Sequence, residues 1–158
     1  MNHELKQTLK TMASRHDPAV AVFRALFRRR AGEDAPKVEQ AIRNMILMMP
    51  ETLELVRLRS TAPGMPGSVK RVHGHLLNYL YEPKDIIPEE GNGFYGYMDD
   101  AYLVTEANRR LSGSFEPWIN EWLDAASRVM PAETVQLDAM LDGLLGAQTK
   151  PYEKALGN

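Results

Sequence analysis

The chain has 158 residues, 19 basic and 21 acidic side chains, a formal net charge of −2, 44% hydrophobic residues and no cysteine. That length supports one hydrophobic core and not two comfortable ones, and the charge balance places the chain among ordinary folded domains. Without cysteine, disulfide scaffolds, thiolate metal sites, thiol nucleophiles and redox switching are excluded.

The first residues, MNHELKQTLK, are polar and amphipathic and lack the continuous apolar stretch of a secretory signal. The longest aliphatic run, Met45 to Met49, stops at Pro50. Both features predict a cytoplasmic protein with no membrane span. Charge is uneven along the chain: residues 1–30 carry seven bases against two acids, residues 31–82 six of each, and residues 83–158 six bases against thirteen acids. Such polarity steers a partner or draws the two ends of one fold together.

In chain order, Leu5, Leu9, Met12 and Ala13 follow helical spacing up to His16-Asp17-Pro18. Asp17 is placed to cap a second helix with Pro18 at its first position, burying Ala19, Val20, Phe23, Leu26 and Phe27. That helix closes on Arg28-Arg29-Arg30, where basic side chains complement the negative end of the dipole. Asp34 and Pro36 repeat the cap-then-proline signal and open a helix with Val38, Ala41, Ile42, Met45 and Met49 inward. Pro50 ends it and starts a short helix through Leu53, Val56 and Arg57. The stretch 61–67, with two prolines and two glycines, is an exposed loop. Ser68 then caps an amphipathic helix over 68–81 with Val69, Val72, Leu76, Leu77 and Leu80 inward.

Beyond an irregular segment, a helix runs from about Tyr97 to Leu111, and Ser112-Gly113-Ser114 turns the chain. Phe115, Trp118, Ile119, Trp122, Leu123, Ala126, Val129 and Met130 then repeat at three and four, the strongest apolar stripe in the sequence. Pro131 opens a last helix with Leu137, Leu141, Leu144 and Leu145 inward. No segment alternates as a strand does, and no fixed-period repeat is present. The expected architecture is an all-α, compact single-domain bundle of about seven or eight short helices, spanning residues 1–147, with a Pro/Gly-rich helical-hairpin junction and a polar tail over 148–158.

The junction, Tyr79 to Asp100, is the most specialised segment. Pro83 stops the preceding helix, Asp85 is placed to cap a turn over Ile86 and Ile87, and Gly91, Gly93 and Gly96 allow a tight reversal. Asp99 and Asp100 fall in the first turn of the next helix, where the dipole favours acids. The elements Pro83-Lys84-Asp85-Ile86-Ile87-Pro88-Glu89 and Gly96-Tyr97-Met98-Asp99-Asp100 resemble the YkvA-like bacterial domain over roughly residues 76–111. The resemblance implies a helical hairpin with an acidic, tightly turned connection, and it implies no established activity.

Three functional readings follow. In the first, the chain is a non-catalytic interaction or regulatory protein that binds a protein partner or itself. Its contact surface is then Asp85, Phe94, Tyr95, Tyr97, Asp99 and Asp100, within a stretch that also holds Tyr79, Tyr81 and Tyr102. Met45, Met48 and Met49 cluster near the proline break, and methionine surfaces adapt to varied partners. Aromatic groups of this density either pin a loop or form an interface hot spot. In the second, His73, Asp85, Asp99 and Asp100 converge on one divalent metal ion and support hydrolytic chemistry; otherwise no cofactor is implied. The bland counterpart is a buried hydrogen-bond network. No His-Glu-x-x-His, Glu-x-x-His or glycine-rich phosphate loop is present. In the third, Arg24, Arg28, Arg29 and Arg30 bind nucleic acid, against which stand the net negative charge and the lack of a reading motif.

Overall fold

The computed structural model describes residues 2–14, 18–81, 93–112 and 116–145. Asp17, Asp85, the 83–89 motif, Ser114, Phe115 and the 148–158 tail fall outside the described residues. Among the described residues every regular element is helical, and the all-α architecture holds. The elements are α1 (Asn2–Ser14), α2 (Pro18–Ala31), α3 (Ala35–Leu47), α4 (Met49–Ser60), α5 (Gly67–Lys70), α6 (Val72–Leu80), α7 (Met98–Ser112), α8 (Pro117–Val129) and α9 (Pro131–Leu145). Tight 3-10 turns cover Gly32–Asp34 and Gly93–Tyr97. Seven of these helices run 12 to 15 residues, and α5 and α6 are the short ones.

Two expected caps are corrected. Asp34 has helical backbone angles, φ −82° and ψ −1°, and its side chain caps nothing. An N-cap needs an extended backbone to fold its side chain back onto the next N–H groups, whereas the turn begun by Gly32 at φ +58° carries Asp34 already into the helix. Its carboxylate instead accepts from Arg128 Nη1 on α8 at 3.1 Å. Ser68 lies inside α5, and Pro66, extended at φ −59° and ψ 154°, stands at the cap position. The helix expected over 68–81 is two helices jointed at Arg71.

The bundle is organised around α7, of whose 15 residues 13 are buried. It packs against α3, α4, α6, α8 and α9. A helix buried on all sides has no outward face for its polar residues, so each needs a partner inside the protein. Glu106 accepts from Arg109 and from Arg110, the latter through Nε at 3.1 Å. Arg110 also reaches Asp142 on α9 at 2.6 Å, Tyr102 donates to Asp138 on α9 at 2.7 Å, and Arg59 on α4 donates to Asn108. These bonds tie α4 and α9 to the two sides of α7.

On the other side of the bundle α2 and α3 pack on α8. Arg128 of α8 bonds both Asp34 and the carbonyl oxygen of Ala31. The basic first third of the chain therefore lies beside a helix from its acidic second half.

Candidate functional site

The second half of the junction is folded into the core. Gly93 adopts φ +61°, a left-handed angle that glycine takes without a Cβ clash. The turn it starts drives Phe94 and Tyr95 inward, where both are buried. Tyr95 packs edge-on against Phe27 at 5.1 Å between ring centroids, against Phe94 at 5.3 Å, and tilted against Phe23 at 5.6 Å. The Arg43 guanidinium lies over the Phe94 ring at 5.1 Å. The Tyr95 hydroxyl donates to Glu39 on α3. Burial first, and then the Glu39 carboxylate, push the Tyr95 phenol well above the usual tyrosine range.

The expected acidic and aromatic contact surface is thereby corrected. Phe94, Tyr95, Asp99 and Asp100 are all buried, and Tyr97 is half-buried. The rings face inward because α2 supplies Phe23 and Phe27, and burying four rings together removes more apolar area from water than leaving two outside. Both aspartates point inward at the start of α7, and Asp99 accepts from the Tyr79 hydroxyl of α6 at 2.7 Å. Of the aromatics near the turn, Tyr81 is the exposed one among the described residues.

His73 stands apart from this arrangement. Tyr79, the α6 residue that touches Asp99, lies six positions further on, about 9 Å along the axis and about 240° around it. The charges that act on His73 are those of Glu54 and Arg57 on α4 instead. Burial first, then the Arg57 charge, hold its imidazole below the usual histidine value. Among the described residues no group of three or more His, Asp and Glu side chains is placed to hold a metal ion, and Asp85 is outside them.

The arginines divide. Arg24 is committed to Glu39, with Nε at 3.1 and 3.3 Å from the two carboxylate oxygens. Arg28, Arg29 and Arg30 are exposed. Arg24 and Arg28 join Arg43 on the rim of a cleft between α1, α2 and α3, of about 760 Å³. A second groove, about 490 Å³, runs between α3 and α8 over Val38, Ala41 and Ala125.

A further surface escaped the sequence reading. Met48, the residue before α4, and Leu55 and Leu58 on it are exposed, while Leu53 and Val56 of α4 are buried. The signal was present: leucines at 53, 55 and 58 cannot share one face of a helix with 3.6 residues per turn. Met45 and Met49 fill the core, so only Met48 of the methionine cluster reaches the surface. Among the described residues no helix is long and apolar enough to cross a membrane.

Comparison of the chain with protein-family models, with curated proteins and with solved structures finds no match.

Proposed function

We propose that the chain is a regulatory, non-catalytic protein-interaction module whose contact face is the outer side of α4. The observation that supports this reading is the stripe Met48, Leu55 and Leu58, which are 40%, 41% and 52% exposed. Their spacings of seven and three place them within about 80° of one another around the helix. Isolated exposed leucines are ordinary, but a stripe on one helix face is a contact surface in waiting.

The charges beside it have an order, although each already has a partner within the chain: Glu51, paired with Lys6, and Glu54, paired with Arg57, stand in the first half of α4, and Arg57 and Arg59, the latter bonded to Asn108, in the second. A helix with the same order, docked antiparallel, meets acid with base along its length. A second copy of α4 is such a helix under two-fold symmetry, which makes self-association the form of interaction that this face favours. No cofactor enters this reading, and it sets the protein in the cytoplasm, in keeping with its cysteine-free sequence. A bacterial, YkvA-like relationship remains part of the proposal on the strength of Gly96-Tyr97-Met98-Asp99-Asp100.

Light scattering after size exclusion, over a wide concentration range, tests it. The full chain is expected to rise above monomer mass with concentration, and Leu55→Glu with Leu58→Glu to remain monomeric with unchanged circular dichroism. A chain that stays monomeric throughout, or a variant that associates like the parent, overturns the reading.

A further inference from the structure

Independently of α4, we propose that the cleft between α1, α2 and α3 binds a small anionic amphiphile: a carboxylate or phosphate head on an apolar body. At about 760 Å³ the cleft falls within the range of about 300–1,000 Å³ typical of small-molecule sites. Its lining mixes apolar side chains, Val20, Ala21, Phe27 and Ala35, with three guanidinium groups and one carboxylate, Glu39.

That carboxylate is already engaged. Arg24 donates to both its oxygens and the buried Tyr95 hydroxyl donates to it as well. Glu39 and Arg24 neutralise each other, which leaves Arg28 and Arg43 as the net charge of the rim. Arg43 is held in place by the Ala13 carbonyl oxygen at 3.3 Å and by the Phe94 ring. Its orientation is set before any ligand arrives, so little ordering is lost on binding. Arg28, exposed on α2 one turn beyond Arg24, supplies a second and adjustable donor.

A lining that joins guanidinium groups to apolar side chains matches an amphiphile better than it matches a bare anion or a polyanion. A bare anion leaves the apolar side chains in water. A nucleic-acid backbone needs a row of free cations, and here Arg24 is occupied and Arg28 and Arg43 border the cleft, while Arg29 and Arg30 lie outside its lining. The junction takes part from below, since Phe94 and Tyr95 fix the positions of Arg43 and Glu39.

Titration calorimetry on the full chain tests the proposal with dodecanoate and dodecyl phosphate below their micelle concentrations. Acetate and inorganic phosphate represent the head alone, dodecyltrimethylammonium the tail with opposite charge, and phosphatidylglycerol vesicles a lipid surface. Saturable binding of the two anionic amphiphiles is expected, with affinity at least about tenfold above that of the head-only and cationic probes. Arg28→Glu is expected to weaken it about tenfold and Ala21→Trp to abolish it, both with the parent unfolding midpoint. Arg30→Glu, which changes the same charge outside the lining, is expected to leave it unchanged. Equal binding of the cationic amphiphile, equal loss in Arg30→Glu, binding only to vesicles, or no binding of either anionic amphiphile overturns the proposal.

Discussion

Truncating Tyr95 to alanine distinguishes a junction that packs from a junction that is touched. The side chain is fully buried, with three aromatic rings at centroid distances of 5.1 to 5.6 Å. Removing a buried aromatic of this kind costs about 3–5 kcal/mol, because the lost transfer energy adds to the cavity left behind. Against a total stability of about 5–15 kcal/mol, that is a large fraction. It corresponds to a fall in melting temperature of roughly 6–20 °C for a chain of this size.

Tyr95→Phe keeps every ring contact and loses the hydroxyl with its donation to Glu39, which retains Arg24. Its expected cost is about 1 kcal/mol. The phenylalanine variant also has a pH signature. Tyr95 ionises well above its ordinary value of 10.0 in the folded protein. The unfolded chain therefore releases that proton first, and stability falls as pH rises above 10. Tyr95→Phe removes this part of the alkaline fall. Urea unfolding followed by circular dichroism, at pH 7 and in steps above pH 10, measures all three quantities. An alanine variant within about 0.5 kcal/mol of the parent refutes the packing role and returns Tyr95 to the surface.

Other variants test the rest of the bundle. Glu106→Ala strands Arg110, whose side chain is only 7% exposed, with Asp142 as its close partner; a loss of about 3 kcal/mol is expected in urea unfolding. Glu106→Leu with Arg110→Met recovers most of it, and an additive double variant rules out the coupling. His73, held below 6.5 chiefly by burial, takes up its proton less readily folded than unfolded. Stability therefore drops as pH falls through 6.5 towards the folded value; His73→Gln flattens that part of the melting-temperature profile, and an unchanged profile counts against the burial. Asp138 is raised above 3.8, first by burial, despite the Tyr102 bond. Its contribution is lost as pH rises from 3.8 through the folded value, so Asp138→Asn is expected to equal or exceed parent stability at pH 7 in thermal melts. A clearly less stable Asn variant contradicts that sign.

What could be read in the sequence and what could not divide by the range of the interactions concerned. The helices were legible because their signals are local: Pro18, Pro36, Pro50 and Pro131 all fall in the first turns of helices, and the buried stripe of α8 repeats at three and four. The failed caps were local as well, but they turned on backbone angles that Gly32 and Pro66 impose and that residue identity at Asp34 and Ser68 does not reveal. The junction was legible as a specialised segment and illegible as a surface or an interior. Whether Phe94 and Tyr95 face solvent depends on Phe23, Phe27, Glu39 and Arg43, residues far upstream that arrive through the packing of α2 and α3.

Among the described residues no metal-holding group includes His73 with Asp99 and Asp100, for a related reason. His73 is partly buried, but the charges acting on it are those of α4, whereas Tyr79 of the same helix bonds Asp99 of α7. The arginines show the converse. Their clustering at 24 and 28–30 was visible at once, yet its chemical meaning changed when Glu39 took up Arg24 and Arg43 joined the rim. A basic run that reads in one dimension as a polyanion contact becomes, once folded, two unequal groups: one in a partly apolar cleft and one outside it. If the arginines acted only as a diffuse charge, Arg28→Glu and Arg30→Glu would be equivalent in every assay, and the fold gives them different surroundings.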